Sequence, residues 1–156
     1  MTSKYPQCWV KKNYIRMAKK CVPFMGGEVR SKVVIISGIS SKQVLSHYAT
    51  SNVLRTMWVG QAKTMASALG DKRIHVNTLS LGGVLTEKYS NRLEDKAKEN
   101  NRSFEEQMDA EVDNVPLKKY ASTHDVALAV EGLLSPFTDH ISGVNITCDG
   151  GFTKSY

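Results

Sequence analysis

Long apolar runs, paired cysteines and metal-spaced ligands are what this sequence has least of. Its longest aliphatic run, Val33 to Ile36, is far short of the ~20 apolar residues that cross a bilayer. The opening MTSKYPQCWVKKNY has no apolar stretch that could serve as a secretory signal. A soluble, cytoplasmic protein without membrane association is therefore expected. The three cysteines, Cys8, Cys21 and Cys148, are an odd number without Cys-x-x-Cys spacing, which argues against a disulfide framework or a zinc ribbon. The four histidines, His47, His75, His124 and His140, lie in different elements with no i, i+4 pair, so no metal site is expected. Internal repeats and low-complexity tracts are also lacking.

What is there fits one hydrophobic core. The chain has 156 residues, 41% hydrophobic and 23% charged, and a domain of this size buries about 70% of its unfolded surface. Residues 1–156 are read as a single domain. The net charge of +6 is uneven: residues 1–42 hold nine Lys/Arg and one acid, Glu28, against twelve bases and fourteen acids beyond. Such asymmetry can mark a nucleic-acid contact. No aromatic or glycine pattern of an RNA-binding module accompanies it, so a solvated helix face is the expectation and nucleic acid is not an expected partner.

Val10, Tyr14, Met17, Ala18, Cys21 and Val22 fall at helical spacing, and Pro23 should stop that helix. Gly26-Gly27 turns the chain into Val33-Val34-Ile35-Ile36, a β-branched run that predicts a parallel strand buried on both faces. After a small polar loop, Ser37 to Gln43, apolar residues repeat helically from Val53 to Leu69, with Gly70 as the stop. Arg73 to Leu79 reads as an alternating second strand, broken at Leu81-Gly82-Gly83. Residues 87–113 hold nine acids and five bases, and read as a mobile, solvated excursion of two helical pieces. Ser103 with Glu106 makes a capping box for the second piece. Thr123 or Ser122 caps a helix with Val126, Ala127, Val130, Leu133 and Leu134 inward, and Val144 to Cys148 is a last strand. This alternation describes a three-strand α/β layer.

Read in order, Val33-Val34-Ile35-Ile36-Ser37, Tyr48-Ala49-Thr50-Ser51-Asn52, His75-Val76-Asn77-Thr78, Gly82, Thr86, Asp125-Val126-Ala127, Ser142-Gly143 and Asp149-Gly150-Gly151 resemble the C-terminal half of a short-chain dehydrogenase/reductase. The resemblance implies a partial doubly wound, Rossmann-like layer of three parallel strands with flanking helices, the N-terminal dinucleotide-binding half being absent. No G-x-x-x-G-x-G follows a strand in this sequence. The excursion at 87–113 corresponds to the family's variable substrate lid.

The resemblance also implies a site. The family places a Ser at the end of the first strand here, and a Tyr one helical turn before a Lys. The Tyr exchanges a proton with the substrate oxygen, while NAD or NADP exchanges the hydride. Tyr48 stands at the Tyr position and Ser37 near the Ser position, with Gly38 where a second Ser is common; Ser40 or Ser41 takes that place if the loop folds back. Asn52 replaces the Lys, which removes a charge worth roughly 4 kcal/mol at about 4 Å in an effective dielectric near 20. Asn52 can still hydrogen-bond the nicotinamide ribose. Gly82 and Thr86 match the nicotinamide loop, Leu81 replaces its usual Pro, and Arg55 is the nearest candidate for a replacement cation. The implied function is a truncated NAD(P)-dependent oxidoreductase acting on a small carbonyl or alcohol substrate. Two other expectations follow: a non-catalytic interaction subunit docking through helices 9–22 and 48–69, as a homo-oligomer or with a heteromeric partner, or a fragment of a longer reductase.

Overall fold

The computed structural model describes residues 15–155. Residues 15–21 are helical (α1) and run into a single 3-10 turn, Val22–Phe24, with Pro23 inside its start. Residues 9–14, the front of the first expected helix, lie outside the described residues. Gly26 and Gly27 have φ of +83° and +79°, the left-handed region open to glycine. A Cβ on Gly26 would fall 2.0 Å from the Lys72 carbonyl oxygen, so position 26 admits no side chain.

Strand β1 is Ser31–Gly38, helix α2 is Ala49–Leu69 and strand β2 is Ile74–Leu81. A short β3, Val84–Leu85, leads to helices α3, Glu87–Glu99, and α4, Phe104–Val112. Then come β4, Ala121–Ser122, α5, Thr123–Leu134, and β5, Asn145–Cys148. The main sheet is parallel, in the order β1-β2-β5, and β3 pairs with β4 in a second parallel pair. This is the α/β, Rossmann-like layer that the element order implies.

Helix α2 covers one sheet face. Ala62 packs on Ile35, Ile74 and Val76, with Trp58, Met65 and Leu69 around them. Two strand readings are corrected. Val33 to Ile36 is not buried on both faces, because Ile35 is 3% exposed but Ile36 is 50% exposed. β1 is an edge strand, so the far side of its C-terminal end lacks cover. Arg73 to Leu79 does not alternate: β2 lies between two strands and is buried on both faces, polar residues included. Its Asn77 is paired on both sides, donating to the Ile141 carbonyl at 3.0 Å and accepting from the Val144 backbone N–H at 3.2 Å. That bracket seats β5 against β2 with both ends of the Asn77 amide paired.

Ser122, not Thr123, caps α5, in a capping box with Asp125. Leu133 faces in, whereas Ala127 and Leu134 are exposed, since the three-strand sheet is too narrow to cover that much of the helix. The Ser103–Glu106 box of α4 is present. The 87–113 region is a packed helix pair around buried Leu93, Ala97 and Val112, with Asn100 donating to Gln107 at 2.9 Å.

Candidate active site

β1 and β2 both end at the same side of the sheet, where parallel α/β layers place their ligands. β1 runs into a 3-10 turn, Ile39–Ser41, and β2 into Gly82-Gly83. Between these ends and the start of α2 lies a cleft of about 430 Å³ that reaches Tyr48, Ser40, Ser51 and Arg55 on one side and Tyr89 and Tyr120 on the other. A second cleft of about 390 Å³, reaching Ile36, Ser37 and Trp58, shares Arg55, Leu81, Gly82 and Val84 with the first.

Tyr48 occupies the N-cap position of α2, yet its side chain makes no capping hydrogen bond. It is half exposed and lines the first cleft. Asn52 lies one turn on, but its amide turns away: Nδ2 donates to the Leu45 carbonyl at 3.0 Å and closes the loop before the helix. Its Oδ1 is buried without a partner among the described residues. The residues of α2 that reach the cleft with Tyr48 are Ser51 and Arg55.

The three loop serines separate by their hydrogen bonds. Ser37 lies in the second cleft, its hydroxyl donating weakly to the Arg55 carbonyl at 3.4 Å. Ser41 is consumed in a closed ring: it bonds Ser80 at 2.9 Å, Ser80 donates to Asn145 Oδ1 at 2.7 Å, and Asn145 Nδ2 donates back to Ser41 at 3.3 Å. Ser40 lines the Tyr48 cleft and is 4% exposed, and its hydroxyl has no partner among the described residues. A buried hydroxyl without a partner costs free energy unless something else fills the bond.

Arg55 and Gly38 explain one another. A Cβ on Gly38 would fall 1.9 Å from Arg55 Nη1, so the guanidinium occupies the room that a side chain at the end of β1 would take. The sequence shows a missing Ser and a spare Arg as separate features; the fold joins them. Gly82 is held for a different reason. Its Cβ would approach Asp149 Cα and Cβ to 2.8 Å, where the turn after β5 passes the end of β2. Thr86 is the N-cap of α3, accepting from the Tyr89 backbone N–H at 3.3 Å, and is exposed.

Tyr120 is a residue that sequence reasoning missed, since nothing in its local spacing marks it. Its ring meets that of Tyr89 edge-to-face, with centroids 5.6 Å apart. The Tyr89 hydroxyl donates to Glu111 Oε2 at 2.9 Å, and Lys96 bonds Glu111 Oε1 at 2.6 Å. Burial, then the contacts with Tyr120 and Glu111, raise the Tyr89 pKa. Lys96 chiefly, helped by Tyr89 and opposed by burial, holds the Glu111 carboxyl below its usual range. A depressed folded-state pKa stabilises the fold above the unfolded value, about 4.3 for Glu, and that contribution disappears as pH falls through the folded value. Glu111→Gln is therefore expected to destabilise the chain by about 1 kcal/mol at neutral pH. The difference should vanish in acid below the ordinary carboxylate range, as measured by urea unfolding across pH.

Among the described residues, no group of three or more His, Cys, Asp or Glu side chains could hold a metal ion, and no helix is long and apolar enough to cross a membrane.

Comparison with known proteins agrees with this fold. The family described as Enoyl-(Acyl carrier protein) reductase matches residues 12–153. The chain is 25% identical over 155 residues to the NADPH-dependent reductase BacG of Bacillus subtilis, covering 99% of this chain and 59% of that protein. Its fold superposes with a TM-score of 0.84, at 24% identity, on L-sorbose reductase from Gluconobacter frateurii, covering 92% of this chain and 55% of that one. A short chain oxidoreductase from Pseudomonas aeruginosa, whose structure is described as containing an atypical catalytic center, gives a TM-score of 0.75 at 20% identity, covering 83% and 50%. The chain thus spans little more than half the length of these relatives. With the strand order, the Tyr48 cleft and a match across nearly all the described residues, it belongs to the short-chain dehydrogenase/reductase superfamily.

Proposed function

We propose that this chain carries the carbonyl-reducing end of an NAD(P)-dependent oxidoreductase, with Tyr48 as proton donor, Ser40 as hydroxyl partner and Arg55 as the cation. The observation that carries this reading is the convergence of Tyr48, Arg55 and the unpartnered Ser40 hydroxyl on one cleft. The second cleft suits a nicotinamide ring: apolar walls at Ile36, Trp58, Leu81 and Val84, with the Ser37 hydroxyl and the Gly82 backbone as polar groups. Bound nicotinamide supplies or takes up the hydride. Tyr48 gives its hydroxyl proton to the carbonyl oxygen and, being half exposed, regains one from solvent. Ser40 donates a hydrogen bond to that oxygen, and the Arg55 cation stabilises the negative charge developing there. Arg55 thus takes over the electrostatic part of the absent Lys. Asn52 positions Tyr48 by closing the 45–48 loop.

The NADPH dependence of the Bacillus subtilis reductase BacG supports NADPH as the cofactor to test first. Without a glycine-rich phosphate cradle in its sequence, the 156-residue chain is expected to bind NADPH no tighter than about millimolar. Calorimetric titration checks this, and a micromolar dissociation constant would contradict it. The catalytic reading is tested by reduction of an activated ketone at several times that NADPH concentration. Arg55→Met should slow it at least about tenfold, roughly 1.4 kcal/mol of barrier. Equal rates would remove Arg55 from the chemistry.

A docking role is the second reading, supported by an apolar groove of about 290 Å³ between residues 15–23 and α2, with Val22, Met65 and Leu69 among its walls. A second copy of this chain is the proposed occupant. Sedimentation at micromolar concentration should then show a dimer, and a monomer would contradict this reading.

A further inference from the structure

We infer that the Tyr48 cleft selects carbonyl compounds that carry a planar apolar ring, and that Tyr89 and Tyr120 are the residues that set this preference. The inference rests on the reading of the cleft as a reductase site and names its substrate class.

Tyr89 donates to the Glu111 carboxylate at 2.9 Å, and Tyr120 donates to the Glu111 backbone carbonyl at 3.1 Å. Both hydroxyls are thus tied to one residue of α4, while both side chains line the cleft. A tyrosine tethered by its hydroxyl presents ring carbon to its other neighbours. Lys96 holds Glu111 from the opposite oxygen at 2.6 Å, so the anchor is itself fixed. The Tyr120 ring lies against Gly83, where a Cβ would stand 2.3 Å from Cδ1. The edge-to-face pair is therefore braced from two sides, by Glu111 and by Gly83.

The remaining lining agrees. Ile39, Leu45, Leu81 and Val84 add aliphatic surface, and among the described residues no carboxylate, amide or imidazole side chain lines the cleft. Its polar groups, Ser40, Tyr48, Ser51 and Arg55, all come from the turn after β1 and the start of α2, the elements assigned to the carbonyl oxygen. A ketose with a hydroxyl on every carbon but the carbonyl would leave most of those hydroxyls without a hydrogen-bond partner, which a site of this composition disfavours. A volume of about 430 Å³ admits a molecule of one or two rings.

The test is equilibrium binding to the intact chain without cofactor, by ligand-observed NMR titration, with 1-tetralone as the ring ketone and fructose as the ketose. Tetralone should bind saturably and at least about tenfold more tightly than fructose. Tyr120→Leu should weaken tetralone at least about fivefold. Tyr89→Leu, which removes the ring, should weaken it by a similar factor. Fructose binding as tightly as tetralone would overturn the inference, and this wild-type comparison requires no variant to fold. Unchanged tetralone affinity in a folded Tyr120→Leu chain would overturn it too. Turnover separates the two proposals. Tetralone bound but never reduced counts against the reductase reading alone. Fructose reduced in a Tyr48-dependent way, with tetralone unbound, counts against the ring preference alone.

Discussion

Tyr48→Phe is expected to lower ketone reduction by the intact chain about 10²- to 10³-fold, the range lost when a positioned general acid is removed. The substitution keeps the ring and deletes only the hydroxyl. Because the Tyr48 side chain makes no capping hydrogen bond to α2, the fold should barely notice, and the thermal midpoint should stay within about 2 °C of the wild type. Steady-state kinetics at high NADPH, paired with a melting curve, separates the effects. A loss below about tenfold with an intact fold would mean that water or Ser40 delivers the proton.

The second large effect concerns the sheet. Leu79 sits on the central strand at 1% exposure, so Leu79→Ala is expected to cost about 3 kcal/mol, within the 2–5 kcal/mol range for buried Leu to Ala changes. Ile36, on the edge strand at 50% exposure, should cost less than about 1.5 kcal/mol when cut to Ala. Urea unfolding of both variants compares them directly. Equal costs would mean that β1 is covered in solution on the face that is open here, as pairing with a second molecule or segment would do.

The contrast between these two strands also shows what sequence can carry. The β-branched run at Val33 to Ile36 announces a strand because branched side chains favour extended backbone, and β1 indeed spans Ser31–Gly38. Whether that strand is central or at an edge depends on its neighbours, which no local pattern encodes. The same holds for Asn77: following Ile74, His75 and Val76 it reads as the next polar step of an alternation, and only the nearby Ile141 and Val144 backbone groups reveal it as a buried bracket.

The site divides in the same way. Tyr48 and Gly82 are legible because their order along the chain matches the family. The choice among the serines is not legible, since it turns on Ser41 bonding Ser80 and Asn145, which lie 39 and 104 positions away. Neither is the joint meaning of Gly38 and Arg55, because a glycine reads as a loss until the side chain that uses its space is located. Tyr120 enters the cleft only through tertiary packing over Gly83.

Transfer of deuterium from C4-deuterated NADPH to the carbinol carbon of a ring ketone reports most directly on whether the Tyr48, Ser40 and Arg55 cleft reduces carbonyls. With the intact chain at millimolar NADPH and 1-tetralone, mass spectrometry should find deuterated alcohol for the wild type and at least about a hundredfold less for Tyr48→Phe. A folded wild-type chain that forms no deuterated alcohol under these conditions, or a Tyr48→Phe variant that forms as much as the wild type, would contradict it.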